Sequence, residues 1–248
     1  MMACNGKTAL VTGASRGIGR AAALVLAKAG AQVLVHYGSK AAEAKAVVEE
    51  IRAAGGRAEA VGADLSAPNG AHDLAAKVRK IVGERLDILV ANAGIATAAS
   101  IEDTTVADFD ALFAVNVRAP YFLVQQLLPI LKEGSSVVFT SSLAARAAVG
   151  ELSAYAATKG AIDTLVKHFS AALGPQGIRV NAVAPGVVET DMSSFAKTDA
   201  GRDFTLGIQA LKRVAQPDDI AGAIAFLASD AGRWVSGDTL RVDGGSKL

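Results

Sequence analysis

Short apolar runs rich in β-branched residues alternate with longer amphipathic ones along almost the entire chain, and this alternation leaves few folds open. The short runs occupy residues 7–13 (KTALVTG), 31–37 (AQVLVHY), 57–65 (RAEAVGADL), 86–94 (LDILVANAG), 135–142 (SSVVFTSS), 178–186 (IRVNAVAPG) and 238–245 (DTLRVDGG). Between them the spacing predicts helices over residues 18–30, 41–56, 71–84, 106–132 and 154–173. The fourth is expected to bend near Pro120, and two further helical pieces precede the last strand. Gly30, and Gly55 with Gly56, stand where a helix would be stopped. Strands that are apolar almost throughout must be covered on both faces, as in a parallel sheet between two layers of helices. Right-handed crossovers then wind such a sheet in both directions from its middle. The expected fold class is therefore α/β, a doubly wound parallel sheet with helices on both faces. No linker, low-complexity tract or charge block divides the chain, so one domain is expected over residues 1–248. Residues 191–211 interrupt the alternation without supplying a strand, and read as a lid inserted within that domain.

Composition narrows the function. Of the 248 residues, 51% are hydrophobic, enough for a full core, and the net charge of +1 comes from scattered lysines and arginines. Neither nucleic acid nor an anionic membrane is expected as a partner. The single cysteine, Cys4, has no partner for an internal disulfide, and no metal-ligand spacing is present. No signal peptide and no membrane span are evident, so a cytoplasmic location is expected.

The first strand runs into TGASRGIG, residues 12–19, with glycines at 13, 17 and 19. Glycine permits a tight turn and the close approach of a phosphate, and the helix that follows offers free N–H groups and a positive dipole end. A dinucleotide is the expected ligand. At the end of the second strand, where a carboxylate would select NAD(H), the sequence reads His36, Tyr37, Gly38, Ser39, Lys40. Arg16, Ser39 and Lys40 can meet a 2′-phosphate, with Tyr37 or His36 near the adenine, so NADP(H) is favoured. Lys40 can equally be a solvated helix start, and His36 reads as a strand-end side chain rather than an acid–base group. Asp64 can accept from the adenine amino group with Leu65 donating its backbone N–H, or Asp64 can cap a helix. Asn92, Ala93 and Gly94 end the fourth strand, where ligands collect; Asn92 can also simply support the sheet.

Tyr155 and Lys159 lie one helical turn apart, on one face. A neighbouring ammonium stabilises a phenolate, which is expected to lower the phenol from about 10 toward neutrality, where it can exchange a proton with an alcohol or ketone. Ser142, at the end of the preceding strand, can hydrogen-bond a carbonyl oxygen. Asn116, polar in the apolar stretch LFAVNVRAPYFLV, can bend its helix and hold a proton-relaying water, or can be an amide satisfied within the helix.

In order along the chain, TGASRGIG, GADL, NAG, NV, SS, YAATK and Pro185 with Gly186, followed by Thr190, resemble the short-chain dehydrogenase/reductase family over nearly all of the sequence. The resemblance implies a Rossmann fold and hydride transfer between a nicotinamide and a ketone or secondary alcohol. Tyr155 would be the acid–base, Lys159 its electrostatic partner and ribose ligand, Ser142 the substrate orienter, and Asn116 the anchor of the relay. The dinucleotide would lie against Gly13, Ser15, Arg16, Gly17, Ile18, Gly19, Tyr37, Ser39, Lys40, Asp64, Leu65, Asn92, Ala93, Gly94, Tyr155, Lys159, Pro185, Gly186, Val188 and Thr190. The partner is a small carbonyl or alcohol substrate, and the resemblance implies a homotetramer packed partly through the last strand. Leu143, Ala144, Val149, Gly150 and Leu152, with Met192, Phe195 and Phe204 of the lid, would line an apolar substrate pocket. Alternatives are a 3-oxoacyl-[acyl-carrier-protein] reductase, although LLPILKEGSS offers little positive charge to an acidic carrier, and a non-catalytic NADP-binding sensor. An epimerase of nucleotide-sugars would need a longer chain.

Overall fold

The computed structural model describes residues 3–247. Seven strands, β1 (Thr8–Val11), β2 (Gln32–Tyr37), β3 (Arg57–Gly62), β4 (Leu86–Ala91), β5 (Leu131–Thr140), β6 (Arg179–Pro185) and β7 (Thr239–Val242), form one sheet in the order β3-β2-β1-β4-β5-β6-β7. Every pairing is parallel. Eight α-helices accompany them: α1 (Gly17–Lys28), α2 (Ala41–Ala53), α3 (Gly70–Val82), α4 (Val106–Phe113), α5 (Ala119–Leu127), α6 (Ser153–Leu173), α7 (Asp199–Ile208) and α8 (Pro217–Ala228).

Successive strand residues point to opposite faces, and here both faces are buried. Val11, Val33, Val35, Ile88 and Val90 pack with Leu26 of α1, Val47 and Ile51 of α2 and Ile220 and Ile224 of α8. Leu10, Leu34 and Leu89, the intervening positions, pack with Leu74 and Val78 of α3, Leu123 and Leu127 of α5 and Ile162 and Val166 of α6. The continuous apolar runs follow from this double burial, and each fully buried Val, Leu or Ile contributes about 1.5–3 kcal/mol.

The chain builds β1, β2 and β3 toward one edge, then crosses back to place β4 on the other side of β1. Where the winding reverses, the connections leaving the carboxyl ends of β1 and β4 diverge and open a crevice, the usual ligand position in an open parallel sheet.

The main departure from expectation lies at residues 106–132. The helical run is uninterrupted from residue 106 to residue 130, but it is not regular α-helix. Instead α4 passes into a π turn, Ala114–Arg118, in which the Ala119 N–H bonds the carbonyl of Ala114, and only then into α5. Pro120 sits in the first turn of α5, where its missing N–H is tolerated, so the irregularity lies at the π turn around Asn116 rather than at the proline. Lys132 already belongs to β5, whose pairing with β4 shifts register between Leu86 and Ile88. There the Ser135 hydroxyl donates to Leu86 O at 2.9 Å and accepts from Lys132 N at 3.0 Å.

Candidate active site

The glycine turn is held from three sides. Gly13 has φ +63° and faces Ala93, whose Cα would lie 2.9 Å from a Cβ placed there. A Cβ on Gly19 would overlap Gly13 O and reach within 2.5 Å of Asn92 Nδ2, so only glycine lets α1 start this close to the turn. Arg16, the residue before α1, makes no capping hydrogen bond with its side chain, and the first helical bond is Arg20 N to Arg16 O. The N–H groups of Gly17, Ile18 and Gly19 therefore have no intrahelical acceptor, which suits a diphosphate. Ser15 lies half-buried in the turn.

Thr12, which sequence reasoning left aside, and His36, which it set near the adenine or at a strand end, fix this turn. Thr12 Oγ1 accepts from the N–H groups of Asn92 and Ala93, both at 2.9 Å, and Asn92 Nδ2 donates to Thr12 O at 3.0 Å. His36 is buried and accepts from Gly13 N at 3.1 Å through Nδ1, while its Nε2 lies 3.0 Å from Ala63 O. An accepting Nδ1 requires the neutral tautomer with Nε2–H donating. Burial holds the His36 pKa down to about 4, so the ring stays neutral near pH 7. His36 is thus a strut between the ends of β1, β2 and β3. The signal available in the sequence was a polar residue in an apolar strand, without any indication of what it would reach.

At the adenosine end Arg16 is well exposed and pairs with Asp191 at 3.1 Å. Ser39 and Lys40 are exposed after β2, and Lys40 lies 3.5 Å from Glu43. Tyr37 turns its ring over the Cα of Gly62, where a Cβ would lie 2.8 Å from Cζ. Asp64 does not cap α3, which begins six residues later behind Asn69. Its carboxylate accepts from the backbone and hydroxyl of Ser66 at 2.9 and 2.6 Å, and these bonds hold its pKa below the usual range. Leu65 is buried in the core beside it.

At the other end the structure gathers Gly94, Asn116, Ser142, Tyr155 and Lys159. A Cβ on Gly94 would stand 3.2 Å from Asn116 Oδ1 and 3.7 Å from Lys159 Nζ. Asn116 is 2% exposed; its Oδ1 accepts from Ile95 N at 2.9 Å, and its Nδ2 donates to Ile95 O at 2.9 Å and to Thr158 Oγ1 at 3.1 Å. Both of its amide hydrogens are therefore engaged, while Oδ1 has taken one of the two donors it can accept. Thr158, which the motif reading passed over, donates in turn to Tyr155 O at 2.6 Å. It joins the π turn to the first turn of α6.

The electrostatics of the pair differ from expectation. Lys159 is 4% exposed, its Nζ donates to Thr140 O at 2.7 Å, and it lies 5.5 Å from the centre of the Tyr155 ring. Burial pulls its pKa from 10.5 down to about 8. Burial also pushes the Tyr155 phenol up, and the neighbouring Ser142 hydroxyl only partly offsets this. The predicted lowering by the ammonium is thus not met: the cation lies over the ring rather than at the hydroxyl, and desolvation of the phenolate outweighs it. Ser142 lies two residues beyond β5 and accepts from Ala144 N at 3.1 Å, capping the 3-10 turn Leu143–Ala145.

β6 ends at Pro185, and Gly186 leads to Val188, which bridges Ala215, and to Thr190, whose methyl would lie 3.4 Å from a Cβ on Gly17. This brings the segment across the glycine turn.

One family model, described as enoyl-(acyl carrier protein) reductase, matches residues 13–247. Versicolorin reductase 1 of Aspergillus parasiticus is 39% identical over 98% of this chain and 97% of its own length. An uncharacterized oxidoreductase of Methylorubrum extorquens is 43% identical over 99% of both chains. Among solved structures, the angucycline C-6 ketoreductase LanV with bound NADP superposes with a TM-score of 0.93 at 40% identity, covering 98% of this chain and 96% of that one. The chain belongs to the short-chain dehydrogenase/reductase family. As a short-chain dehydrogenase/reductase it is an oxidoreductase working between a carbonyl and its alcohol, and the Rossmann fold and the family resemblance expected from the sequence are borne out.

Two further features of this short-chain dehydrogenase/reductase concern its exposed apolar surface. An apolar groove of about 520 Å³, lined by Ile101, Val106, Phe109, Ala154 and Ala157 among others, opens on a different face of α6 from Tyr155. The segment from Asp191 to Leu211 carries a 3-10 turn, Ser194–Lys197, and α7, and leaves Met192, Phe195, Phe204 and Leu211 between 44% and 60% exposed.

Proposed function

We propose that this protein is an NADP(H)-dependent ketoreductase that converts a hydrophobic ketone to its secondary alcohol, with Tyr155 as the proton donor. The observation that carries the reading is the convergence of Tyr155, Lys159, Ser142 and Asn116 beside Gly94, across the crevice from an uncapped glycine turn. The bound dinucleotide supplies or accepts the hydride. The chain does the rest. Free N–H groups at the start of α1 receive the diphosphate, and Arg16, Ser39 and Lys40 favour a 2′-phosphate, no carboxylate standing at the end of β2 to repel it. NADP in the LanV structure supports the same choice.

Ser142 orients the substrate carbonyl and Tyr155 protonates its oxygen. Reduction needs the phenol to hold its proton beforehand, and the raised pKa of Tyr155 ensures that near neutral pH. The Lys159 ammonium then stabilises the phenolate left behind. Leu143, Val149, Leu152 and the exposed Met192, Phe195 and Phe204 favour an apolar substrate, as do the names versicolorin reductase and angucycline ketoreductase among the relatives. Residues 191–211 act as the lid of a single-domain enzyme. The exposed apolar residues of α4 and its approach, with β7 at an open sheet edge, support a homotetramer. No helix among the described residues is long and apolar enough to cross a membrane; a cytoplasmic location accords with this and with a lone, buried thiol.

The test is NADPH oxidation with ketones ranging from ethyl acetoacetate to 2-tetralone, alongside the Tyr155→Phe variant. Wild-type turnover is expected with at least one ketone. The variant is expected to lose at least about 100-fold in kcat while binding NADPH within a few-fold of wild type. Near-normal turnover by Tyr155→Phe would remove the acid–base assignment, and NADPH binding without turnover of any ketone would favour a sensor.

A further inference from the structure

Between Ser142 and α6 the chain reads LAARAAVG over residues 143–150, with one charged side chain in a stretch otherwise small and apolar. That residue, Arg146, turns back into the protein. Its Nη2 donates to Asp243 Oδ2 at 2.6 Å and to Ser246 O at 2.5 Å, and its Nη1 donates to Lys247 O at 3.3 Å. The Asp243 side chain is only 7% exposed, and its other oxygen accepts from Gly245 N at 3.0 Å. The C-terminal turn is thus folded around one guanidinium, with both carboxylate oxygens engaged.

The same turn grips two further segments. Lys247 N donates to Ile208 O at 2.8 Å, Ala210 N and Leu211 N donate to Gly244 O at 3.1 and 2.9 Å, and Gln209 bridges Ser246 in antiparallel fashion. These bonds fasten the end of the 191–211 segment. On its other side the turn abuts the chain after β6: Gly186 N donates to Val242 O at 3.3 Å, and a Cβ on Gly186 would lie 3.1 Å from Asp243 Cα. The loop after Ser142, the close of the 191–211 segment and the Pro185–Gly186 turn therefore meet on residues 243–247. Only the first of them is attached through a side chain.

We propose that Arg146 is a positioning residue for substrate selection: by clamping the loop after Ser142 to Asp243 it sets the distance between that loop and the 191–211 segment, and so the width of ketone admitted. This rests on the ketoreductase reading above. A buried carboxylate stripped of its cation destabilises by itself, so the informative variant removes both charges, Arg146→Met with Asp243→Asn, beside Arg146→Lys as the conservative control.

Two readouts are needed. Amide hydrogen exchange of the double variant, without any substrate, is expected to rise about tenfold or more in both residues 143–152 and residues 191–211, with β1 and β4 unchanged. Unchanged protection in either segment would overturn the coupling whatever the activity. Steady-state kinetics with NADPH are expected to raise KM for 2-tetralone about tenfold, with a change of less than about threefold for ethyl acetoacetate and in NADPH affinity. Arg146→Lys is expected to recover part of the discrimination. An unchanged ratio of kcat/KM between the two ketones, or an equal loss for both, would overturn the selectivity role. A wild-type enzyme that reduces neither ketone would instead count against the ketoreductase reading, leaving the exchange result to decide the coupling.

Discussion

Lys159 sits where an ammonium is costly to hold. Its contacts are a backbone carbonyl at 2.7 Å and an aromatic ring, and its pKa falls from 10.5 to about 8. The unfolded chain therefore binds this proton more tightly than the native protein does. Below about pH 8 the native state carries the full penalty; between about 8 and 10.5 stability rises with pH as the folded lysine is already neutral and the unfolded one is not. At about 1.4 kcal/mol per tenfold, the penalty is a few kcal/mol. Lys159→Met is expected to unfold at higher denaturant concentration than wild type near pH 7, with the gap closing as pH approaches about 10.5. A gap that stays constant with pH would show that Lys159 is not titrating in this range. The same residue is expected to limit catalysis: kcat/KM for ketone reduction should fall as pH rises through about 8, because the cation that steadies the phenolate is lost.

The π turn Ala114–Arg118 is the element on which the two ends of the crevice depend. Asn116 fastens Ile95 after β4 and, through Thr158, the first turn of α6. Arg118, at the end of the same turn, donates to Ser66 O at 2.6 Å in the loop that follows β3. An α-helix in its place would rotate these side chains by one position and could not serve both loops. Asn116→Ala leaves the Ile95 N–H and C=O groups without a partner and removes the bond that the Thr158 hydroxyl accepts, while that hydroxyl keeps its bond to Tyr155 O. It is expected to lower stability by about 2–4 kcal/mol, summing bonds of about 1 kcal/mol and desolvated orphans, and to lower kcat more than NADPH affinity. Denaturant midpoints and NADPH titration of the purified variant check both; a stable variant with intact kcat would mean that the π turn holds its shape without Asn116.

At the scale of the whole molecule the question is what covers the apolar surface. Ile101 and Val106 are 80% and 78% exposed beside the groove at α4 and α6, and Trp234 is 97% exposed just before the open edge strand β7. Side chains of this size cluster at such exposure where a second chain buries them. The proposed homotetramer predicts that Val106→Glu forms a smaller species than the wild type, read as mass by light scattering during gel filtration. A tetrameric mass unchanged by Val106→Glu would mean that the groove is not a subunit contact.

The sequence by itself determined the layout. Apolar runs too continuous to face water anywhere required a sheet covered on both sides, and glycines at 13 and 19 fit only a turn where helix, strand and Ala93 approach closely. It also marked Tyr155, Lys159, Ser142 and Asn116, because each is polar at a strand end or on one helix face. Tertiary structure alone decided the rest. In the 106–132 stretch the proline at 120 was the visible signal for a bend, and only Asn116 reaching both Ile95 and Thr158 puts the irregularity at the π turn instead. Neither the neutrality of His36 nor the direction of the Tyr155 and Lys159 shifts was legible from spacing. A pKa depends on how much water a group has lost and on which atoms replaced it, and those atoms come from segments far apart in the chain.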